Sequence, residues 1–469
     1  MRVAVIGAGV GGLVAAIELA AAGHRVVVLE QTAAPGGKAA EVSRNGFRWD
    51  AGPSLLTLPH VFAALFAATG APLEEELELL RVEPVTRYTF ADGTSVELSA
   101  DLPRALAALD AWSPRAGADW LRFLATCATM WPAGERFLSG PPPWPPRREP
   151  RPDPRDALRV KPWWTLRDLA RAHTDDPRLR TLIERFATYA GADPRRAPAA
   201  LALAGYVEHA FGAWHPRGGV HALIRALTRR LEALGAELRP LSRVERILVR
   251  DGRARGVATA GGTVAADAVV AALDEAIVRR DLLGATARPR ERSLSGLSVL
   301  LGLRGRTAGA AHHQIRFPAD YDAELDDLFV HRRRVRDPTI YVSVPGVTDP
   351  SDWTPDGEAW FVLANAPAVG ASGDWERATD ALLDALGVRD RILELIVRTP
   401  ADLERETGAL DGAIYGAAPH GRLSSLRRSG HRIRGLDGLW LTGGTVHPGG
   451  GLPLVALGAR TVARQIGPA

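Results

Sequence analysis

The chain has 469 residues, of which 46% are hydrophobic and 24% charged. That is a globular balance, in a length that predicts more than one domain. Its one cysteine, Cys127, excludes an internal disulfide and a cysteine metal cluster, and no apolar run reaches the length of a membrane span. The net charge is +4 and lysine occurs only at positions 38 and 161, so the excess is arginine spread along the chain rather than a nucleic-acid-binding block.

The first thirty residues are the most informative stretch. Arg2 to Ile6 is a short apolar run of strand character, followed at once by Gly7-Ala8-Gly9-Val10-Gly11-Gly12. Leu13 to Ala22 reads as a helix stopped by Gly23, and Arg25 to Leu29 as a second strand ending on Glu30. Strand, glycine turn, helix and strand closed by an acid form a dinucleotide-binding unit. Gly7 permits the tight turn, Gly9 lets backbone approach a pyrophosphate, and Gly12 lets helix and strand pack closely. Glu30 is placed to accept hydrogen bonds from a ribose, and an acid there disfavours NADP. The N-terminus reads as mature sequence rather than a signal peptide, which places the protein in the cytoplasm.

Further along, Gln31 to Lys38 ends in Pro35-Gly36-Gly37-Lys38, a second source of bare N–H groups with a cation beside it. Gly46 to Pro53 reads as a short strand and turn, and Thr86 to Leu98 as a hairpin about Asp92-Gly93. From Leu102 to Ala213 the pattern predicts helices broken by proline loops, with Asp119 to Met130 and Pro198 to Phe211 the clearest. His221 to Leu234 is a helix capped by Gly235. Val244 to Ala272 is a run of strands closing on Ala268 to Ala272. Ser298 to Leu303, His312 to Phe317, Thr339 to Val344 and Ala359 to Ala364 predict a second sheet. Trp375 to Leu386 and Arg391 to Val397 are predicted as helices on it.

The last segment mirrors the first. Gly438 to Thr445 is a strand ending in Gly443 and Gly444. His447-Pro448-Gly449-Gly450-Gly451-Leu452-Pro453 follows, then a helix from Leu454 to Gln465. Two anion or carbonyl sites at opposite chain ends imply one long ligand gripped at both, which FAD fits better than NAD.

These motifs resemble the bacterial-type phytoene desaturases and related carotenoid desaturases. The matching residues are Gly7-x-Gly9-x-x-Gly12 with Glu30, Pro35 to Ala39, Asp50-Ala51-Gly52-Pro53-Ser54, Phe186 to Gly191 with Ala197-Pro198-Ala199, and Phe211 to Gly219. They continue with Thr399 to Leu403, Gly412 to Gly416 and Thr442 to Pro453. Phe186 to Ala190 and Leu454 to Leu457 look more like desaturases of later, hydroxylated or methoxylated carotenoids. The resemblance implies an α/β fold, with a glutathione-reductase-type, Rossmann-like FAD-binding domain and a second α+β substrate domain. The expected division is 1–100, 214–296 and 401–469 for the FAD domain. The helical 101–213 and the sheet-and-helix 297–400 are then the substrate domain. It also implies an FAD site at Gly7, Gly9, Gly11, Gly12, Glu30, Gln31, Gly36, Gly37, Lys38, Gly52, Pro53, Ser54 and Val244, completed by Gly443, Gly444, Gly450, Gly451, Leu452 and Pro453. The implied reaction is removal of hydrogen across a carbon pair of a long isoprenoid, with the flavin taking a hydride. Other flavin chemistry, as in an amine oxidase or an isomerase, and a non-enzymatic isoprenoid carrier are the alternatives.

No acid–base pair or metal-ligand spacing stands out. His447 is either a group that hydrogen-bonds the flavin or a histidine shaping its turn. Asp50 is either a structural turn residue or a polar group near the flavin. His312-His313 sits in a predicted strand and reads as surface or packing, because neighbours in a strand face opposite ways. Glu208 and His209, in an apolar helix, either edge a substrate channel or are satisfied core groups. The proline-rich 141–146, the arginines from Arg147 to Arg159, and Trp144, Trp163 and Trp164 read as a solvated loop or as a contact with anionic lipid headgroups. A second basic run lies at His331 to Arg336.

Overall fold

The computed structural model describes residues 1–142, 154–286, 290–352, 354, 357–369, 373–421 and 423–469. A five-stranded parallel sheet runs in the order Leu439–Leu441, Ala268–Ala271, Arg2–Ile6, Arg25–Leu29, Glu237–Arg239. Its central strands are buried on both faces, which is why they read as unbroken apolar runs rather than alternations. On one face lie the helices Val10–Ala21, His60–Ala68, His221–Ala233 and Leu452–Ile466, packed through Leu13, Ile17, Phe62, Phe66, Leu223 and Ala459. On the other, the three-stranded meander Val244–Arg250, Arg253–Thr259, Gly262–Ala265 covers Ala4, Ile6, Leu29, Val269 and Ala271. The three layers draw on both ends of the chain, so neither end forms this core alone.

A seven-stranded sheet builds the second unit, in the order Ile392–Arg398, Ser295–Arg304, Gly357–Ala366, Ile340–Ser343, His313–Arg316, Thr86–Thr89, Ser95–Leu98. Alternation sorts its faces. Leu297, Val299, Leu301, Val342 and Val362 lie under the helix Trp375–Leu386, while Leu300 and Phe361 face Phe47 and Trp49. The helices Leu102–Trp112, Ala116–Ser139, Leu166–His173, Pro177–Glu184 and Leu203–Ala210 surround Trp120, Phe123, Cys127 and Phe186. Cys127 is fully buried there, and burial raises its thiol pKa.

Several elements differ from their sequence reading. Arg391 to Val397, expected as a helix, is the edge strand Ile392–Arg398, antiparallel to Ser295–Arg304 with Val397 opposite Val299 and Leu395 opposite Leu301. Ile392, Ile396 and Val397 favour the pleated conformation, and the neighbouring strand supplies partners that periodicity alone does not reveal. Pro198 to Phe211 is not one helix. It is a 3-10 turn, Ala199–Ala202, running into Leu203–Ala210. The hairpin within 86–98, grouped by sequence with residues 1–100, is hydrogen-bonded into the seven-stranded sheet through His313–Arg316.

His312 and His313 are not surface residues. Each is 1% exposed, and they cluster with the fully buried His215, the 312–313 rings tilted with centroids 4.3 Å apart and the 215–312 rings edge-on at 4.9 Å. His215 Nε2 contacts Asp352 Oδ2 at 3.2 Å, His312 Nδ1 contacts Thr348 Oγ1 at 2.7 Å, and His313 Nδ1 contacts the Val85 carbonyl at 3.0 Å. The Ser54 backbone lies within reach of His215 and His313, and among the described residues no hydrogen bond reaches His312 Nε2. Burial pushes His215 and His313 down to about 4 and drives His312 lower still, so the rings are neutral in the fold. The unfolded chain therefore binds more protons than the folded one between pH 6.5 and 4, and these rings add stability above that window that is lost as pH falls through it. Glu324, raised by burial to about 7, pulls the opposite way. The expected outcome is a difference in slope. Between pH 6 and 5, unfolding free energy from denaturant titration falls more steeply for the native chain than for His313→Gln, by up to about 1.4 kcal/mol per pH unit. Equal slopes would contradict neutral burial of this ring.

Candidate functional site

The two glycine segments meet. A Cβ placed on Gly11 would lie 3.2 Å from the Gly443 Cα and 3.1 Å from Val455 Cγ1, and one on Gly444 would lie 3.3 Å from the Gly450 Cα. Gly36 joins the same point: its N–H donates to the Ala8 carbonyl at 3.0 Å, and it bridges Gly9. Gly37 lies across from Gly9, its added Cβ 3.4 Å from the Gly9 Cα. The glycines of the first turn differ in what they permit. Gly7 has φ +92°. A Cβ on Gly12 would sit 1.9 Å from the Gly7 carbonyl, so glycine is required there by packing. A Cβ on Gly9 would meet nothing nearer than 3.8 Å, so the protein alone does not demand glycine at that position.

Helix Val10–Ala21 begins at Gly9 and helix Leu452–Ile466 at Gly451, neither with a side-chain cap. Their first N–H groups remain available to an anion or a carbonyl, which fits a nucleotide at one end and a polar ring at the other. Pro453, at the start of the second helix, costs no hydrogen bond there. Gly52, Pro53 and Ser54 are half-buried beside them. A Cβ on Gly52 would lie 1.9 Å from the Lys38 carbonyl, and Ser54 Oγ hydrogen-bonds the Tyr341 hydroxyl.

Glu30 is 6% exposed at the end of its strand. Its Oε2 accepts from the Ala8 N–H at 2.7 Å, and its Oε1 from the Thr32 N–H and hydroxyl at 2.9 and 2.8 Å. The Ser242 N–H reaches the Glu30 carbonyl at 2.7 Å, which sets the start of the Val244–Arg250 strand beside this acid. Gln31 is exposed, and its amide donates to the Glu406 carbonyl at 3.3 Å. Lys38 Nζ donates to the Ile414 carbonyl at 2.5 Å, and burial lowers its pKa to about 8 against the opposing charge of Asp274.

Asp50 accepts from the N–H groups of Val220 and His221 at 2.7 and 3.0 Å, at the start of helix His221–Ala233. Burial raises its pKa. The carboxyl thus holds the start of that helix. His447 is 1% exposed, its Nε2 3.2 Å from the Gly140 carbonyl and its ring edge-on to Phe137 at 4.9 Å. Burial takes it down to about 4. It joins the terminal loop to the end of helix Ala116–Ser139, a turn-shaping role.

Sequence reasoning missed two residues at the junction. The half-buried Tyr415 ring lies where a Cβ on Gly450 or on Gly191 would be, at 2.3 and 2.8 Å, so it is held between the terminal loop and the helical layer. Arg428 donates to the Gly444 carbonyl at 3.0 Å and fixes the loop from behind. Tyr415 lies within the Gly412 to Gly416 motif, yet its role, like that of Arg428, comes from a contact distant in the chain. The half-buried Tyr189, Leu201 and Ala204 pack against the apolar cluster of the helical layer, Leu363 packs against the Phe47 and Trp49 cluster of the sheet, and Tyr341 touches both.

Comparison with known proteins follows this geometry. Residues 10–297 match the family of flavin containing amine oxidoreductases. The chain is 37% identical to the hydroxyneurosporene desaturase of Rubrivivax gelatinosus, over 99% of this chain and 93% of that protein. It is 31% identical to the lycopene-forming phytoene desaturase of Pseudescherichia vulneris, over 98% of each. A solved oxidoreductase from Methanosarcina mazei shares the fold, with a TM-score of 0.67 at 18% identity, over 99% of this chain and 100% of that one. The glycine cradle, the uncapped helix starts and these full-length similarities agree, and the chain belongs to the FAD-dependent carotenoid desaturase family within the flavin-containing amine oxidoreductases.

Proposed function

We propose that the protein is a carotenoid desaturase that introduces C=C bonds into a long isoprenoid, acting on a later, oxygenated intermediate rather than on the first hydrocarbon. The observation that carries the reading is the junction of the two chain ends, where Gly11 meets Gly443 and Gly9 meets Gly36. Gly7, Gly9, Gly11 and Gly12, with Glu30, would hold the nucleotide. Gly36, Gly37, Lys38 and the Gly52-Pro53-Ser54 turn would flank its middle, and Gly443, Gly444 and the Gly450 to Pro453 loop would face the ring. FAD, when bound, supplies a hydride acceptor. Loss of hydride beside an existing double bond leaves a delocalised allylic cation on the substrate, and a proton then leaves the adjacent carbon. That proton is acidic, so no strong base is demanded of the chain. The chain's own part is placement and exclusion of water, through Tyr415, Tyr341 and the apolar residues packed around them. The division of the chain that best accompanies this reading keeps 1–100, 214–296 and 401–469 around the cofactor and gives the 86–98 hairpin to the substrate unit.

A hydrocarbon substrate resides in a bilayer, and the second part of the proposal is peripheral membrane contact. No helix among the described residues is long and apolar enough to cross a membrane. Leu121, Leu158 and Trp163, on or next to two helices that flank the arginine- and proline-rich 143–153, are 44%, 58% and 46% exposed. Lys161 Nζ lies 4.7 Å above the Trp164 ring. Residues 143–153, with Trp144, lie outside the described residues.

Two outcomes test these readings. Gly9→Ala has room within the protein, so it should fold with native stability yet bind FAD at least tenfold more weakly, whereas Gly12→Ala should lose stability. Fluorescence titration of apoprotein with FAD, alongside thermal unfolding, separates them, and undiminished affinity in Gly9→Ala would remove the pyrophosphate assignment. In a liposome flotation assay the protein should rise with vesicles, more so with anionic lipid; no flotation with either lipid would exclude membrane delivery.

A further inference from the structure

The seven-stranded sheet has two edges, and they present different side chains. At one edge Ser95–Leu98 buries Val96 and Leu98 and turns Ser95 and Glu97 to solvent. At the other, Ile392–Arg398 leaves Leu393 and Leu395 40% and 38% exposed. Among the described residues, no backbone hydrogen bond or bridge joins the outer side of this strand to another segment. Its outward N–H and C=O groups are a template for a further strand.

Edge strands are ordinarily guarded by charges that point outward. Here the charges are drawn into the molecule. Glu394, its side chain 13% exposed, accepts from Asn45 Nδ2 at 2.5 Å and pairs with Arg44 Nε at 3.1 Å. Arg398, its side chain 10% exposed, donates from Nε to Glu406 Oε2 at 3.0 Å and from Nη1 to the Ala51 carbonyl at 2.5 Å. Arg391, just before the strand, donates to the Arg304 carbonyl and to Glu358, each at 2.9 Å. The most exposed side chains of the strand are therefore its two leucines.

The ladder against Ser295–Arg304 is regular from Glu394 to Arg398 and shifts register only at Leu393. This regular span matches itself. Antiparallel pairing with a second copy, centred on Ile396, sets Leu395 against Val397 of the second copy and Glu394 against Arg398 of the second copy. The two-fold axis repeats each pair. Apolar and opposite-charge pairs are the ones that favour neighbouring strands. Centring on Glu394 would oppose like charges, and centring on Leu395 would set Glu394 against Ile396. The geometry points to a second copy of this chain as the partner of this edge, joining two seven-stranded sheets across a two-fold axis. Five paired residues span about 17 Å. That contact is smaller than the roughly 800 Å² per partner of a standard interface. The dimer should accordingly dissociate with a constant of about 10 µM. The inference is independent of the desaturase reading.

Sedimentation equilibrium of the flavin-loaded full chain, at about 1 to 100 µM to bracket that constant, should fit a monomer–dimer equilibrium. Leu395→Lys should weaken the association at least tenfold. Val249→Lys, at a residue 46% exposed on the three-stranded meander, should leave it unchanged. Thermal unfolding and flavin content should be equal in all three. A second measurement reads the geometry and decides the matter if Leu395→Lys fails to fold. Cys127 is fully buried, so Leu395→Cys carries the one accessible thiol. A short bis-maleimide should link this variant into dimers at least tenfold faster than it links Val249→Cys. A native chain that stays monomeric throughout the range would overturn the inference and leave the edge to a strand of another protein. An association that folded Leu395→Lys leaves intact would overturn it too, as would equal cross-linking rates.

Discussion

The structure depends on a contact between backbones. Gly11, in the first helix turn, and Gly443, at the end of the last strand, approach so closely that one added methyl group would press on the other chain segment. The approach is possible because both are bare, and it is enforced because the strands leading to them, Arg2–Ile6 and Leu439–Leu441, flank Ala268–Ala271 in one parallel sheet. That sheet is closed only when residues from the two extremities of the chain have come together. The cofactor cradle is therefore a product of the global fold, and the glycines are placed by the sheet rather than by local turn preference.

Around this junction the molecule separates groups that serve position from groups open to a ligand. Asp50 and His447 look like chemistry in sequence, yet Asp50 anchors a helix start and His447 is buried against Phe137 and Gly140. Arg428 and Tyr415 look ordinary, yet they set the terminal loop against the helical layer. The histidines 215, 312 and 313 form a neutral buried cluster beside the Ser54 turn, adding packing without charge. Arg185, Tyr189 and Glu208 form a polar chain within the helical layer, Arg185 donating to Tyr189 and Tyr189 to Glu208.

Much of this was legible before the coordinates. The first unit was readable because glycine, apolar run and acid recur at spacings that backbone geometry dictates, and Gly7, Gly12 and Glu30 stand where that spacing puts them. The second glycine segment was readable for the same reason. The edge strand Ile392–Arg398 was not, since a short apolar stretch satisfies a helical or a strand period equally and only its neighbour Ser295–Arg304 decides. The burial of His312 and His313 was hidden too. Alternation sends neighbours to opposite faces, but it does not reveal that one face lies under His215 and the other under the Val85 segment. Glu208 could be seen as a polar residue in an apolar helix, but its linkage to Arg185 through Tyr189 spans two elements and appears only in three dimensions.

The central claim is that one extended nucleotide is held at both ends by cradles from opposite extremities of the chain. Its most direct test is a titration of the apoprotein with FAD and, separately, with ADP and riboflavin, the two halves that the cradles would each grip. The account predicts that FAD binds at least a thousandfold more tightly than either half and that both halves bind measurably. FAD affinity no better than that of ADP would show that the terminal loop does not hold the ring, and would contradict the account.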